Sequence, residues 1–342
     1  MLKLLLRKCM NGETLTEKEA QAAMDEIMRG EATPSQIASL VTVMRFRGET
    51  VDEMTGFARS MRAHSVTIPE TKLDVVDTCG TGGDDLGTFN ISTTTAIVLS
   101  ALGVPVAKHG NRAVSSKSGS ADVLEELQMS IQYSPEEAQQ ALQQTNLCFL
   151  FAPLYHQSMK HAVAPRKEIG FRTIFNLLGP LTNPANAKHQ LIGVYDEAFA
   201  RKMAETLSRL GTTRSLLVTG GEGLDELSIT TESHVIEVNG TEQKQYSLTP
   251  EEVGLTRGTL DEIQVETPKE SAALIRKVLA GKANASAEGI VALNAAAALY
   301  ASERVASIKE GVSLVQKAIS SGRVYRHFEK LTTEQKETEQ HA

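Results

Sequence analysis

Leu73-Asp74-Val75-Val76-Asp77-Thr78-Cys79-Gly80-Thr81-Gly82-Gly83-Asp84 is the stretch on which the fold turns. Residues 73–78 predict a short buried strand, which runs straight into a glycine-rich turn. Glycines in such a turn let backbone N–H groups approach a ligand with no side chain in the way, which suits a phosphate. Asn90-Ile91-Ser92-Thr93-Thr94-Thr95 then opens a helix, where hydroxyls and unpaired amides would meet an anion at the positive end of the helix dipole. A tight turn followed by a routine helix cap accounts for the same residues as well.

Before this stretch the chain reads as short helices with no strand candidate. Thr16 and Glu19 form a capping box and Gly30 a stop. Thr33-Pro34 reads as an N-cap with proline at the first helical position, Gly48 ends that helix, and Thr50 with Glu53 makes a second box. The expectation is a small all-helical domain over residues 1–70, completed by helices near 166–187. After Pro69 strands and helices alternate. Candidate strands lie at 104–107, Leu147–Phe151, 191–195, 215–219 and 234–238, with helical segments such as 198–210 between them. That alternation predicts a discontinuous α/β domain over 71–342: a mostly parallel sheet flanked by helices, with ligands gathered at the strand carboxyl ends. The polar tail from 332 to 342 reads as frayed.

Composition narrows the function. With 342 residues, 41% hydrophobic and 23% charged, the chain is an ordinary globular protein long enough for a sizeable core. A net charge of −7 argues against a surface for nucleic acid while leaving room for a local basic pocket. Cys9, Cys79 and Cys148 match neither a disulfide framework nor a zinc pattern, so a reducing, cytoplasmic setting is expected. The N-terminus shows no signal peptide, and the apolar run at 290–300 is too short to cross a membrane.

Three further clusters carry chemistry. Lys108-His109-Gly110-Asn111-Arg112 and Ser115-Ser116-Lys117-Ser118-Gly119-Ser120 follow a predicted strand, and their density of cations and hydroxyls suits several phosphate oxygens; the alternative is a solvated loop. Asp225-Glu226 sits at another strand end, where adjacent carboxylates suit magnesium completed by a diphosphate; such pairs are also commonly just solvated. If 154–167 is one helix, despite Pro165, then His156, Met159, Val163 and Arg166 share a face. Arg166 there either binds a carboxylate or complements the helix dipole.

Taken in order, Gly80-Thr81-Gly82-Gly83-Asp84, Asn90-Ile91-Ser92-Thr93, Lys108-His109-Gly110-Asn111-Arg112, the serine loop, the run from Arg172-Thr173-Ile174-Phe175-Asn176 through Gly179-Pro180 to Asn183-Pro184, and Asp225-Glu226 resemble the anthranilate phosphoribosyltransferase family over nearly the whole chain. The resemblance implies magnesium-dependent transfer of a phosphoribosyl group from phosphoribosyl pyrophosphate to anthranilate in tryptophan biosynthesis, by a homodimer. It implies that Gly80, Thr81, Gly82, Gly83 and Asp84, with Thr88, Asn90, Ile91, Ser92 and Thr93, surround the donor. Lys108, Gly110, Ser116, Ser118, Gly119 and Ser120 join them. Ser92, Asp225 and Glu226 would organise Mg²⁺, while His109, Asn111, His156, Arg166, Gly179 and Pro180 guide anthranilate. No residue is implied as an obligatory acid or base. Asp85 stands where the family pattern leads one to expect glycine, which puts the loop's local course in question. A pyrimidine nucleoside phosphorylase of the same architecture is the nearest alternative enzyme. A divergent nucleic-acid-binding relative is disfavoured by the acidic balance.

Overall fold

The N-terminal helices begin where their capping chemistry begins. In the computed structural model, which describes residues 1–69, 72–113 and 117–340 with side chains through 333, α1 (Leu2–Met10) is followed by α2 (Glu17–Met28), α3 (Pro34–Arg47) and α4 (Val51–Ala63). Thr16, Thr33 and Thr50 each accept from the backbone N–H three residues on, and Glu19, Gln36 and Glu53 reach back to complete the boxes. Gly30 and Gly48 take positive φ of 73° and 91° at the helix ends. Helices α2 and α4 cross so closely at Gly56 that a Cβ there would overlap the carbonyl oxygen of Glu17.

The remaining elements, in order, are β1 (Val76–Gly80), α5 (Ile91–Ala101), β2 (Val106–Gly110), α6 (Ser120–Glu126), α7 (Pro135–Thr145), β3 (Leu147–Phe151), α8 (Ala152–Tyr155), α9 (Lys160–Ile169), α10 (Phe175–Leu178), β4 (His189–Gly193), α11 (Glu197–Leu210), β5 (Arg214–Gly220), β6 (Ser233–Asn239), β7 (Glu242–Leu248), α12 (Pro268–Leu279), α13 (Ala285–Ala301), α14 (Ile308–Ser320) and α15 (Arg323–Gln340). They build one seven-stranded sheet in the order β3-β2-β1-β4-β5-β6-β7. β3 through β5 are mutually parallel in that order, while β6 and β7 run antiparallel at one edge. The expected fold class, a mostly parallel sheet flanked by helices with a helical unit in front of it, is what the chain adopts.

Each face of the sheet has its own apolar core. On one, α5 and α13 pack with Val76, Val106, Leu216 and Val218. On the other, Ile192, Leu217 and Ile236 join α11 and the side chains of the N-terminal helices in a single cluster. The helical unit is therefore seated on the sheet through continuous hydrophobic packing, α4 against α11. Helix α9 packs back onto α3 and α2.

Three local expectations need correction. Residues 154–167 are not one helix: α8 stops at Tyr155, His156 takes φ −113° and ψ 53°, and a 3₁₀ turn over Gln157–Met159 intervenes before α9. His156 leaves the helical course while its Nε2 meets the Thr182 carbonyl at 3.0 Å. The tail continues helix α15 as far as Gln340, beyond the buried stripe of Val324, Phe328 and Leu331 that anchors the start of that helix. β4 begins at His189, two residues ahead of the predicted strand, since His189 and Gln190 are buried polar residues whose side chains meet Ala301 O at 2.9 Å and Pro180 O at 2.8 Å.

Gly56→Ala tests the tightest helix crossing. The added methyl should overpack α2 against α4 and cost about 1–3 kcal/mol, read as a lowered thermal midpoint. An unchanged midpoint would show that the crossing relaxes freely.

Candidate functional site

The carboxyl ends of β1 and β2, with the Asp225-Glu226 turn that follows β5, open into one cavity of about 520 Å³ between the sheet and the segment 152–182. Its floor depends on two missing side chains. Gly80 and Gly193 end the paired strands β1 and β4, and a Cβ on either would overlap Asp225. The turn after β5 can therefore lie across both strand ends. There the Gly82 N–H donates to Asp225 Oδ2 at 2.7 Å, and Thr81 N–H to the Gly193 carbonyl at 2.9 Å. Gly82 and Gly83 hold φ of 66° and 88°, the left-handed course that glycine adopts without strain.

Beneath this loop Lys108 is almost wholly buried, with Nζ donating to the Thr78 carbonyl and to Ser92 Oγ. Burial pushes the Glu226 carboxyl up to about 8, with Lys108 pulling it down and Asp84 adding repulsion. Asp225 is held well above the usual carboxylate range by burial, then by the charges of Asp84 and Glu226. Ser92, through backbone and side chain, also pulls the Glu226 carboxyl down. Two carboxyls so placed gain from a cation, which makes Ser92, Asp225 and Glu226 a fitting donor set for Mg²⁺. Among the described residues no three His, Cys, Asp or Glu side chains form a ready metal cage, so the remaining oxygens would come from phosphate and water, as magnesium prefers.

Helix α5 points its first turn at the same space with no side chain capping it. Asn90 instead stitches the walls together: its Nδ2 donates to Ser118 O at 3.0 Å, and its Oδ1 accepts from Ser118 Oγ and Ser271 Oγ at 2.7 Å each. Thr88, Ile91, Gly110, Asn111, Gly119 and Ser120 also line the cavity. The Thr93 side chain does not; it is buried behind the site, its Oγ1 without a partner, facing a separate small cavity. Ser116 lies outside the described residues.

The far end of the cavity has different chemistry. The His109 and His156 rings stand 5.0 Å apart. Nδ1 of His109 lies 3.1 Å from the Gly179 carbonyl, so it carries the proton and leaves Nε2 as a lone-pair acceptor, which has no partner among the described residues. Burial pushes His109 down to about 3 and His156 to about 4, which keeps both neutral. Arg166 extends from α9 with its guanidinium 5.4 Å from the Phe175 ring centre. Burial lowers its pKa, and no carboxylate among the described residues forms a salt bridge with it. Gly179 and Pro180 complete this end, with Met159 and Val163. His156 and Arg166 thus meet in the cavity from different elements.

Some contributors escape sequence reasoning. Arg112, grouped above with the cavity cations, is committed to Asp122 and Glu125. Asp77 lies under the floor, accepting the His109 N–H at 3.1 Å. Gly193 has no motif around it, and only its position at the end of a strand signals the close approach.

Two family models match the chain: the helical bundle domain of a glycosyl transferase family over residues 3–65, and the α/β domain of a glycosyl transferase family over residues 72–325. The chain belongs to this glycosyl transferase family. Its relatives are more particular. The anthranilate phosphoribosyltransferase of Halalkalibacterium halodurans is 68% identical over 342 residues, covering 100% of both chains. That of Bacillus subtilis is 50% identical over 332 residues, covering 97% of this chain and 98% of the relative. Among solved structures, the anthranilate phosphoribosyltransferase of Thermus thermophilus superposes with a TM-score of 0.91 at 42% identity, covering 97% of this chain and 99% of that one. The Saccharomyces cerevisiae enzyme in complex with phosphoribosyl pyrophosphate and Mg gives 0.89 at 26% identity, covering 98% and 97%. The resemblance carried by the motifs holds over the full chain.

The two histidines make a pH prediction. Unfolded histidine takes a proton near pH 6.5, whereas His109 and His156 refuse it down to about 3 and about 4. Their contribution to stability is fully present above about pH 7 and is lost as pH falls from about 6.5 toward 4. The double variant His109→Asn, His156→Gln keeps a donor where each ring donates and cannot titrate. Its urea midpoint should fall less between pH 7 and pH 5 than that of the parent; equal falls would remove the histidines as the cause.

Proposed function

We propose that this cavity performs magnesium-dependent transfer of the 5-phosphoribosyl group from phosphoribosyl pyrophosphate to the amine of anthranilate, giving N-(5-phosphoribosyl)anthranilate and diphosphate in tryptophan biosynthesis. The observation that carries this reading is the division of one cavity into two chemically distinct ends. At one, the glycine loop, the α5 N-terminus, Lys108 and the Asp225-Glu226 pair suit a diphosphate with its cation. At the other, apolar side chains surround an unpaired guanidinium and two neutral histidines, which suits a flat aromatic acid.

The residues assigned to each substrate by resemblance are assigned so here, Ser116 and Thr93 included, with Thr93 acting through its backbone. The bond between the anomeric carbon and diphosphate breaks with its electron pair leaving on diphosphate, while the amine lone pair forms the new C–N bond and the surplus amine proton departs to water. Backbone donors of the glycine loop and α5 are fixed in advance where negative charge grows. Asp225, Glu226 and Ser92 would hold Mg²⁺, which would supply neutralisation of charge on the departing diphosphate. Histidines held neutral this far down are weak bases, and an arylamine, already neutral at pH 7, needs orientation more than proton removal. Nε2 of His109 offers that amine an acceptor, and Arg166 offers the carboxylate a planar pair of donors.

The same reading takes residues 1–70 with the helices near 166–187 as one unit and the rest of 71–342 as the other. It also takes a homodimer, for which the exposed Leu4, Met10 and Phe46 of α1 and α3 offer apolar surface to a second copy. A cytoplasmic setting accords with three buried free thiols. No described helix is long and apolar enough to cross a membrane.

Incubation with phosphoribosyl pyrophosphate, Mg²⁺ and anthranilate should consume anthranilate fluorescence and yield the phosphoribosyl adduct. Folded protein that makes no adduct, or that instead cleaves a pyrimidine nucleoside with phosphate, would refute the assignment. Arg166→Ala should raise the anthranilate KM about tenfold or more, since losing a charge-assisted hydrogen bond costs about 1.5–3 kcal/mol. The donor KM should hardly move, and equal loss for both substrates would move Arg166 out of the acceptor site.

A further inference from the structure

The glycine loop contains a residue that its backbone does not favour. Between β1 and α5 the chain takes left-handed φ at Gly82, Gly83, Asp85 and Gly87, and Asp85, at 57°, is the one with a side chain. Aspartate tolerates this conformation better than most residues but less readily than glycine. The side chain is held. Nη2 of Arg172 lies 3.0 Å from each Asp85 carboxylate oxygen, and Nη1 of the same guanidinium donates to the Gly83 carbonyl. The guanidinium occupies the space that a Cβ on Gly83 would fill, and its Cζ lies 5.1 Å from the Tyr195 ring centre. Arg172 is thus threaded into the crook of the loop and fastened at three points.

Arg172 belongs to the short link between α9 and α10, just past Gly170 with its φ of 69°. Helix α9 is the element that carries Arg166. One ion pair therefore ties the loop at the diphosphate end of the cavity to the segment at the aromatic end. We infer that Asp85 is a positioning residue: with Arg172 it forms a latch that holds the glycine loop in its binding course before the donor arrives, so that less ordering remains when the donor binds. This rests on the reading of the cavity given above for its effect on the donor, but not for the latch itself. Asp85 is 70% exposed and Arg172 30%, so the pair is open to screening and its hold weakens with salt.

The test compares the parent with Asp85→Gly and Asp85→Asn. Deuterium exchange over residues 80–90 in the substrate-free protein should quicken about threefold or more in both variants, and 0.5 M NaCl should carry the parent in the same direction. The phosphoribosyl pyrophosphate KM should rise about three- to tenfold in both, with kcat within about twofold. The Asn variant keeps the local backbone preference of Asp while removing the charge, so parent-like exchange and KM in Asp85→Asn would overturn the latch. A lowered donor KM in Asp85→Gly would also overturn it, showing a carboxylate that merely repels diphosphate. The exchange measurement needs no activity, so its outcome stands apart from that of the transferase assay.

Discussion

Everything at the site follows from the approach of the Asp225-Glu226 turn onto the ends of β1 and β4. That approach requires bare backbone at Gly80 and Gly193, because a single methyl at either would stand where Asp225 lies. Once the turn is seated, two carboxyls are drawn out of water beside Asp84 and above Lys108, and they rise well above their ordinary pKa range. A group forced into that condition gains from a proton or from a nearby cation. The packing of two glycines is thus what draws these two carboxyls together, out of water, at the floor of the cavity.

The second constraint is mechanical. The core that holds α1 to α4 together continues through α11 into Ile192, Leu217 and Ile236 of the sheet. Burying apolar surface stabilises by roughly 25 cal/mol per Å², so an interface of this kind resists separation. The segment from α8 to α10, broken into short pieces and containing left-handed Gly170, is fixed in the same core through Ala162, Ile174, Phe175, Leu177 and Leu178. That segment carries His156, Arg166, Arg172, Gly179 and Pro180.

The sequence made much of this legible, and for definite reasons. The capping boxes at Thr16, Thr33 and Thr50 are local chemistry, and local chemistry decided those helix starts. The glycine loop and the Lys108 cluster were readable as neighbours because parallel strands deliver their loops to one edge. What escaped depended on distant partners. Strand β7 has no buried residue and no apolar alternation to betray it; its one signal is the Asn239-Gly240 turn that joins it to β6. His189 and Gln190 look wrong for a buried strand until Ala301 and Pro180 are seen to satisfy them. The break before α9 likewise depends on Thr182, far along the chain from His156. Thr93, one residue from Ser92, faces away from the cavity because neighbours on a helix point in different directions.

Helix α13 carries a consequence for how the chain comes into being. It is apolar on nearly every side, packs against α5 and α14, and covers the β4 and β5 side of one sheet face. Yet residues 285–301 follow all seven strands in the chain. During synthesis the sheet can be complete in sequence while α5 covers only part of that face and its β4 and β5 side stays bare, and the helix that must fill it is itself apolar almost throughout. Folding from the ribosome therefore cannot finish strand by strand. The nascent chain must pass through a stage in which a wide apolar face waits for its lid, the stage at which such chains are most prone to aggregate and to engage chaperones.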